Sequence, residues 1–86
     1  MVEIKLPELG EDIEKATVAC FHYNIGDHVN ADDDIVEVVT DKATFNVPTN
    51  VSGDISNILV AVGQEIEVGQ VIACIDEEKN YESEIQ

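Results

Sequence analysis

The chain has 86 residues, with 19 Asp plus Glu against 4 Lys plus Arg, a formal charge of −15 and 44% hydrophobic residues. A chain this short makes one domain with one thin core and little room for a deep catalytic cleft, and its apolar content excludes an acidic disordered tail. The charge excludes nucleic acid and anionic membrane surfaces as partners; no apolar run approaches the roughly 18 residues of a spanning helix, and MVEIKLPELG is no signal peptide.

Along the chain the apolar period is mostly two. Val2, Ile4 and Leu6 alternate with Glu3 and Lys5, which predicts a half-buried strand ending at Pro7. Residues 8–14 carry Gly10 and four acids and read as an exposed loop. Residues 16–23 are rich in β-branched and aromatic side chains, a strand pattern. Gly26-Asp27 punctuates the chain, and Asp32, Asp33 and Asp34 form a polar turn. Strands follow over 35–40 and 43–47, a long one over 53–62 stopped by Gly63, and a last one over 71–75. No stretch shows a sustained helical stripe, so the pattern is all-β, a small sandwich or barrel. The domain spans 1–77, and the polar stretch 78–86 is a tail or the start of an interdomain linker.

Cys20 and Cys74 lie in apolar stretches, TVACF and VIACI, and neither belongs to a CxxC motif or a Cys/His cluster. They read as buried free thiols in a reducing compartment, a disulfide between them being the alternative that sequence leaves open, with no metal site expected. His22 reads as a strand side chain and His28 as a surface residue; neither has a Ser or Cys partner in a nucleophile motif.

An internal repeat carries more information than the strands do. At an offset of 37, Ile25-Gly26 matches Val62-Gly63, Val29 matches Ile66, Ile35 matches Ile72 and Val38 matches Ile75. Upstream, Ile4-Lys5-Leu6-Pro7 matches Phe45-Asn46-Val47-Pro48 at an offset of 41, which implies a first half longer by four residues around Leu9 to Asp12. Two such halves bury their apolar faces against each other about a pseudo-twofold axis. Their junction is Asp41-Lys42, between two alternating runs, the spacing of a tight hairpin. Asp41 suits a turn because its side chain bonds nearby amides. Lys42 then stands at an exposed tip, far in sequence from Lys5, Lys15 and Lys79. Most turn lysines are merely solvated. A lone cation at the midpoint of a repeat in an acidic chain is a candidate for covalent modification, with the deprotonation supplied by the modifying enzyme.

The segment Glu37-Val38-Val39-Thr40-Asp41-Lys42-Ala43-Thr44 resembles the attachment turn of the lipoyl domains of 2-oxoacid dehydrogenase complexes. Lys5-Leu6-Pro7-Glu8-Leu9-Gly10-Glu11, Gly26-Asp27-His28-Val29, Val47-Pro48, Val51-Ser52-Gly53, Val62-Gly63 and Val68-Gly69 extend the likeness over nearly the whole chain. The opening loop departs from it, with Gly10-Glu11-Asp12 where the family often has Gly-Glu-Gly.

The resemblance implies a flattened barrel of two four-stranded antiparallel sheets with quasi-twofold symmetry. It implies lipoate on Lys42, with Asp41 and Ala43 recognised by a lipoate ligase or lipoyl transferase. Leu9, Gly10, Glu11 and Asp12 would lie near the arm and contribute to partner recognition. The domain would be a non-catalytic carrier, monomeric when isolated, and the N-terminal piece of an acyltransferase. Its partners would be a thiamine-diphosphate-dependent 2-oxoacid dehydrogenase, the acyltransferase core and dihydrolipoyl dehydrogenase, in a bacterial cytoplasm or an equivalent reducing organellar matrix. The alternatives are a biotin carrier domain, disfavoured because its lysine normally sits between methionines, the lipoate-bearing glycine-cleavage carrier, whose chain is longer, and an unmodified acidic interaction module of the same fold.

Overall fold

Apolar alternation is converted into strands throughout the computed structural model, which describes residues 1–77; the tail or linker reading of 78–86 lies outside the described residues. The strands are β1 (Val2–Lys5), β2 (Lys15–Phe21), β3 (His28–Val29), β4 (Asp34–Val39), β5 (Thr44–Pro48), β6 (Gly53–Ile58), β7 (Glu65–Glu67) and β8 (Val71–Glu77). They pair into two antiparallel four-stranded sheets, ordered β1-β8-β6-β3 and β5-β4-β2-β7. The expected all-β class and the two four-stranded sheets are present.

Two strands escaped the sequence pattern. β3 and β7 have two and three residues, too few to display a period. The strand expected over 53–62 stops at Ile58, because the chain turns Val60 into the core and enters a tight turn at Ala61. Asp34 begins β4, so the acidic turn is Asn30 to Asp33 instead of the three aspartates together.

The pseudo-twofold symmetry holds at the level of single pairings. Thr17↔Val39, Val18↔Val38, Cys20↔Glu37 and Phe21↔Val36 in one sheet recur, all shifted by 37, as Asp54↔Asp76, Ile55↔Ile75, Asn57↔Cys74 and Ile58↔Ala73 in the other. Even the bulge recurs, between Val18 and Cys20 and between Ile55 and Asn57. The outer strands correct the sequence alignment. Phe45↔Val38 corresponds to Val2↔Ile75, and Pro48↔Asp34 to Lys5↔Val71, so β1 and β5 are related by 43 positions and not by the 41 of the proline match. A two-residue slip keeps the same faces in phase, so periodicity could not detect it. Measured between equivalent pairing positions, the connection from β1 to β2 is therefore six residues longer than its counterpart from β5 to β6.

Four turns repeat as two pairs. Asn24–Asp27 and Ala61–Gln64 carry Gly26 and Gly63 at the third position, with φ of 95° and 89°. Asn30–Asp33 and Glu67–Gln70 carry Asp32 and Gly69 there, with φ of 76° and 91°. This is the geometry of a type II turn, which needs positive φ at that position. In each turn the fourth residue's side chain accepts the first residue's N–H: Asp27 at 2.7 Å, Gln64 at 3.0 Å, Asp33 at 2.9 Å and Gln70 at 3.1 Å. Asp32 alone meets this left-handed requirement with a Cβ. Asp32→Gly is expected to stabilise the domain by about 0.5–1 kcal/mol, read as a higher urea midpoint.

Both sheets press their inner faces into one core, including Ile4, Val18, Ile35, Val38, Ile55, Ile66, Ile72 and Ile75. Thr49, fully buried, stands where the other half has Leu6; its hydroxyl donates to the Val51 carbonyl at 2.8 Å and accepts from the Val51 amide at 3.2 Å. The core supplies rigidity at the sheet ends, where the site lies.

Candidate functional site

β4 and β5 remain paired up to Val39↔Thr44. One more bond, Thr40 N–H to the Ala43 carbonyl at 2.8 Å, leaves Asp41 and Lys42 as the two residues of the tip. The Thr40 side chain closes that tip. Its hydroxyl donates to the Ala43 carbonyl at 3.0 Å and accepts from the amides of Lys42 at 3.2 Å and Ala43 at 3.1 Å. A hydroxyl has one proton and two lone pairs, so its whole capacity is spent on the turn. The role expected of Asp41 thus falls to Thr40. Its oxygen sits two and three residues before the amides it serves, and its branched Cβ suits a strand end.

The Lys42 side chain is 60% exposed, and its Nζ lies 3.6 Å from Asp12 Oδ2, which is itself 83% exposed. An ion pair so wet contributes about 0–1 kcal/mol. The backbone of Lys42 is therefore fixed while its amine stays available.

Asp12 comes from the lengthened loop between β1 and β2. Leu9 anchors that loop by packing against the core, and the Gly10 carbonyl accepts the Ile13 N–H at 3.2 Å. Of the four loop residues singled out by sequence, Glu11 and Asp12 are exposed, Leu9 and Gly10 are half-buried, and Asp12 reaches Lys42. Loop and hairpin bound an open groove of about 480 Å³ lined by Asp12, Ile13, Val39, Thr40, Asp41 and Lys42 among others. Val39, 41% exposed, gives it an apolar wall. Ala43, beside the lysine, is exposed.

Sequence reasoning missed Thr40 and Ile13. The signal for Thr40 was a hydroxyl residue immediately before a two-residue tip. Thr40→Val keeps the branched shape and removes all three side-chain bonds. It is expected to cost about 1 kcal/mol and to speed amide hydrogen exchange at Lys42 and Ala43 while Val36 and Val38 keep their protection.

His28 and Asp54 pair across β3 and β6, with Nδ1 to Oδ1 at 2.9 Å, so His28 braces a short strand. Cys20 and Cys74 are free thiols, half-buried instead of buried. Cys20 is moreover brought to His22 and Glu37 on the outer sheet face, against the expectation that neither cysteine joins a Cys/His cluster. Cys20 and His22 are two apart, and that spacing was the available signal; His22 itself lies in a bend just past the end of β2 at Phe21, not within the strand expected over 16–23.

The family described as biotin-requiring enzyme, covering biotin and lipoyl attachment, matches residues 2–75. The dihydrolipoyllysine-residue acetyltransferase component of the pyruvate dehydrogenase complex of Acholeplasma laidlawii is 38% identical over 77 residues, covering 90% of this chain and 14% of the relative. The dihydrolipoyllysine-residue succinyltransferase component of the 2-oxoglutarate dehydrogenase complex of Staphylococcus saprophyticus is 39% identical over 77 residues, 90% of this chain and 18% of the relative. The chain thus spans less than a fifth of either relative. The solution structure of the lipoyl domain of the 2-oxoglutarate dehydrogenase complex from Azotobacter vinelandii superposes with a TM-score of 0.73 at 30% identity, over 92% of this chain and 100% of that one. Kluyveromyces lactis urea carboxylase superposes with a TM-score of 0.67 at 26% identity, over 86% of this chain and 7% of the enzyme.

Proposed function

Because the chain belongs to the biotin and lipoyl attachment family, and is similar over its length to a lipoyl domain, we propose that it is a lipoyl carrier whose attachment residue is Lys42. The observation that carries this reading is the exposed Lys42 amine at a two-residue tip whose backbone Thr40 holds with three bonds. Amide formation on a lysine needs an amine that a modifying enzyme can enclose, and a protruding turn offers that where a lysine along a strand does not. Asp41 and Ala43 are the flanking features for a lipoate ligase or lipoyl transferase to read. Biotin is the second reading, since the family covers both groups and a carboxylase is among the structural neighbours.

Attached lipoate supplies a dithiolane able to carry acyl groups from a thiamine-diphosphate-dependent 2-oxoacid dehydrogenase to coenzyme A at an acyltransferase core, with dihydrolipoyl dehydrogenase restoring the oxidised form. The chain's own part is presentation. The core fixes the hairpin, Thr40 fixes the tip, and Asp12 offers a carboxylate beside it. Tethering a carrier in this way holds it at an effective concentration on the order of mM at each partner. The domain itself is read as non-catalytic, with residues 1–77 as the carrier unit. A reducing setting, a bacterial cytoplasm or an organellar matrix, fits its two free thiols.

The test is intact-mass and peptide analysis of the chain co-expressed with a lipoate ligase and lipoate, and separately with a biotin ligase and biotin. One lipoyl group on the Lys42 peptide is the expected result. An unmodified chain in the first experiment, or efficient biotinylation in the second, overturns it.

A further inference from the structure

On the outer face of the β5-β4-β2-β7 sheet, Cys20, His22 and Glu37 each offer one ligand atom within 4.8 Å of the other two. Cys20 and Glu37 are direct cross-strand partners, and the bulge between Val18 and Cys20 adjusts which side chains reach that face. We propose that this triad is a binding site for a thiophilic divalent cation, zinc(II) first, distinct from the Lys42 tip.

The donor set is one thiolate, one imidazole and one carboxylate, the mixture that suits zinc and not magnesium or calcium. His22 has the orienting partner such ligands need. Its Nε2 lies 3.1 Å from Oδ1 of Asn46, which is the β5 register partner of Glu37. With Nε2–H donating to Asn46, the Nδ1 lone pair is the one left for the metal.

The pseudo-twofold provides an internal control. The same backbone with the same bulge places Asn57, Leu59 and Cys74 at the equivalent positions of the other sheet. The fold therefore does not require a Cys, His and Glu there; this face carries a ligand set that its twin lacks.

Binding converts the Cys20 thiol to a zinc-bound thiolate and releases its proton to solvent, while His22 binds neutral and Glu37 ionised. The sheet face is open, so water completes the tetrahedron. Three ligands and a water make an accessible site rather than a closed structural one.

The experiment titrates the reduced chain with zinc(II), and with cobalt(II) as a spectroscopic probe, in excess magnesium to occupy loose carboxylates. The expected result is one metal per chain and a thiolate-to-cobalt charge-transfer band. Cys20→Ser should abolish that band, and His22→Asn and Glu37→Gln should each weaken zinc binding by at least 10-fold. Asn46→Ala, acting only through the orientation of His22, should weaken it roughly 10-fold. Cys74→Ser should leave both readouts unchanged. A missing charge-transfer band, a band lost with Cys74→Ser instead, or zinc retained at full strength by the three ligand variants overturns the site. None of these readouts depends on modification of Lys42.

Discussion

Lys42→Arg is expected to leave the domain folded and unable to accept lipoate at all. Arginine keeps the positive charge, the length and the attraction to Asp12, so the environment of the turn is preserved. It lacks what the chemistry needs. A guanidinium does not deprotonate in proteins and offers no nucleophilic amine. The side chain is 60% exposed with one wet ion pair, so the change in stability should fall within about 0.5 kcal/mol. Intact mass after co-expression with a lipoate ligase should show no adduct, and the thermal midpoint should be unmoved. Lys15, paired with Glu65 at 3.5 Å on β2, and Lys5 on β1 should remain unmodified in both proteins, because neither stands on a protruding turn. A lipoyl group on either of them would mean that the tip does not select the residue. The paired change Asp41→Lys with Lys42→Asp sharpens this. It leaves composition and charge alone and moves the amine by one residue around the tip, and it too should abolish modification.

The hairpin was legible in the sequence because two alternating runs flank Asp41-Lys42 so closely that almost no other connection fits. The halves were legible because glycines with positive φ, Gly26 and Gly63, recur at a fixed offset. Most of what escaped depends on contacts between strands. β3 and β7 exist as strands only because β6 and β2 pair with them. The true relation of β1 to β5 needed the pairings with β8 and β4, since Pro7 and Pro48 lie two residues out of structural register. Correcting it lengthens the extra segment of the first half from four residues to six, and that segment carries Asp12 to the tip. The Cys20, His22 and Glu37 cluster needed the β2–β4 register, since Glu37 is far from the other two in sequence. The Thr40 clasp was local, and a hydroxyl residue beside an Asp was simply the less obvious of two turn-binding side chains.

Gly53→Ala should be the most damaging single methyl that can be added to this chain's β6. A Cβ on Gly53 would come within 2.9 Å of both the Asp76 carbonyl carbon and Ile75 Cγ2, and closer still to the Asp76 carbonyl oxygen. Backbone cannot swing aside as a side-chain end can, so the β6–β8 ladder itself must shift. Overpacking of this kind costs about 3 kcal/mol, which in a domain this small lowers the thermal midpoint by about 15 °C. The pseudo-twofold mate of Gly53 is Ala16, buried and already carrying that methyl. The partner strands differ just beyond this point. β8 continues to Glu77, which pairs with Gly53. β4 stops at Val39, opposite Thr17, and the chain departs at Thr40 into the hairpin that presents Lys42. One half thus carries a buried alanine where the other carries a glycine pressed against the Asp76 carbonyl. Ala16→Gly should then cost only about 1 kcal/mol, the ordinary loss for a strand alanine. Equal effects of the two substitutions in a urea titration would mean that no such close backbone approach distinguishes the halves.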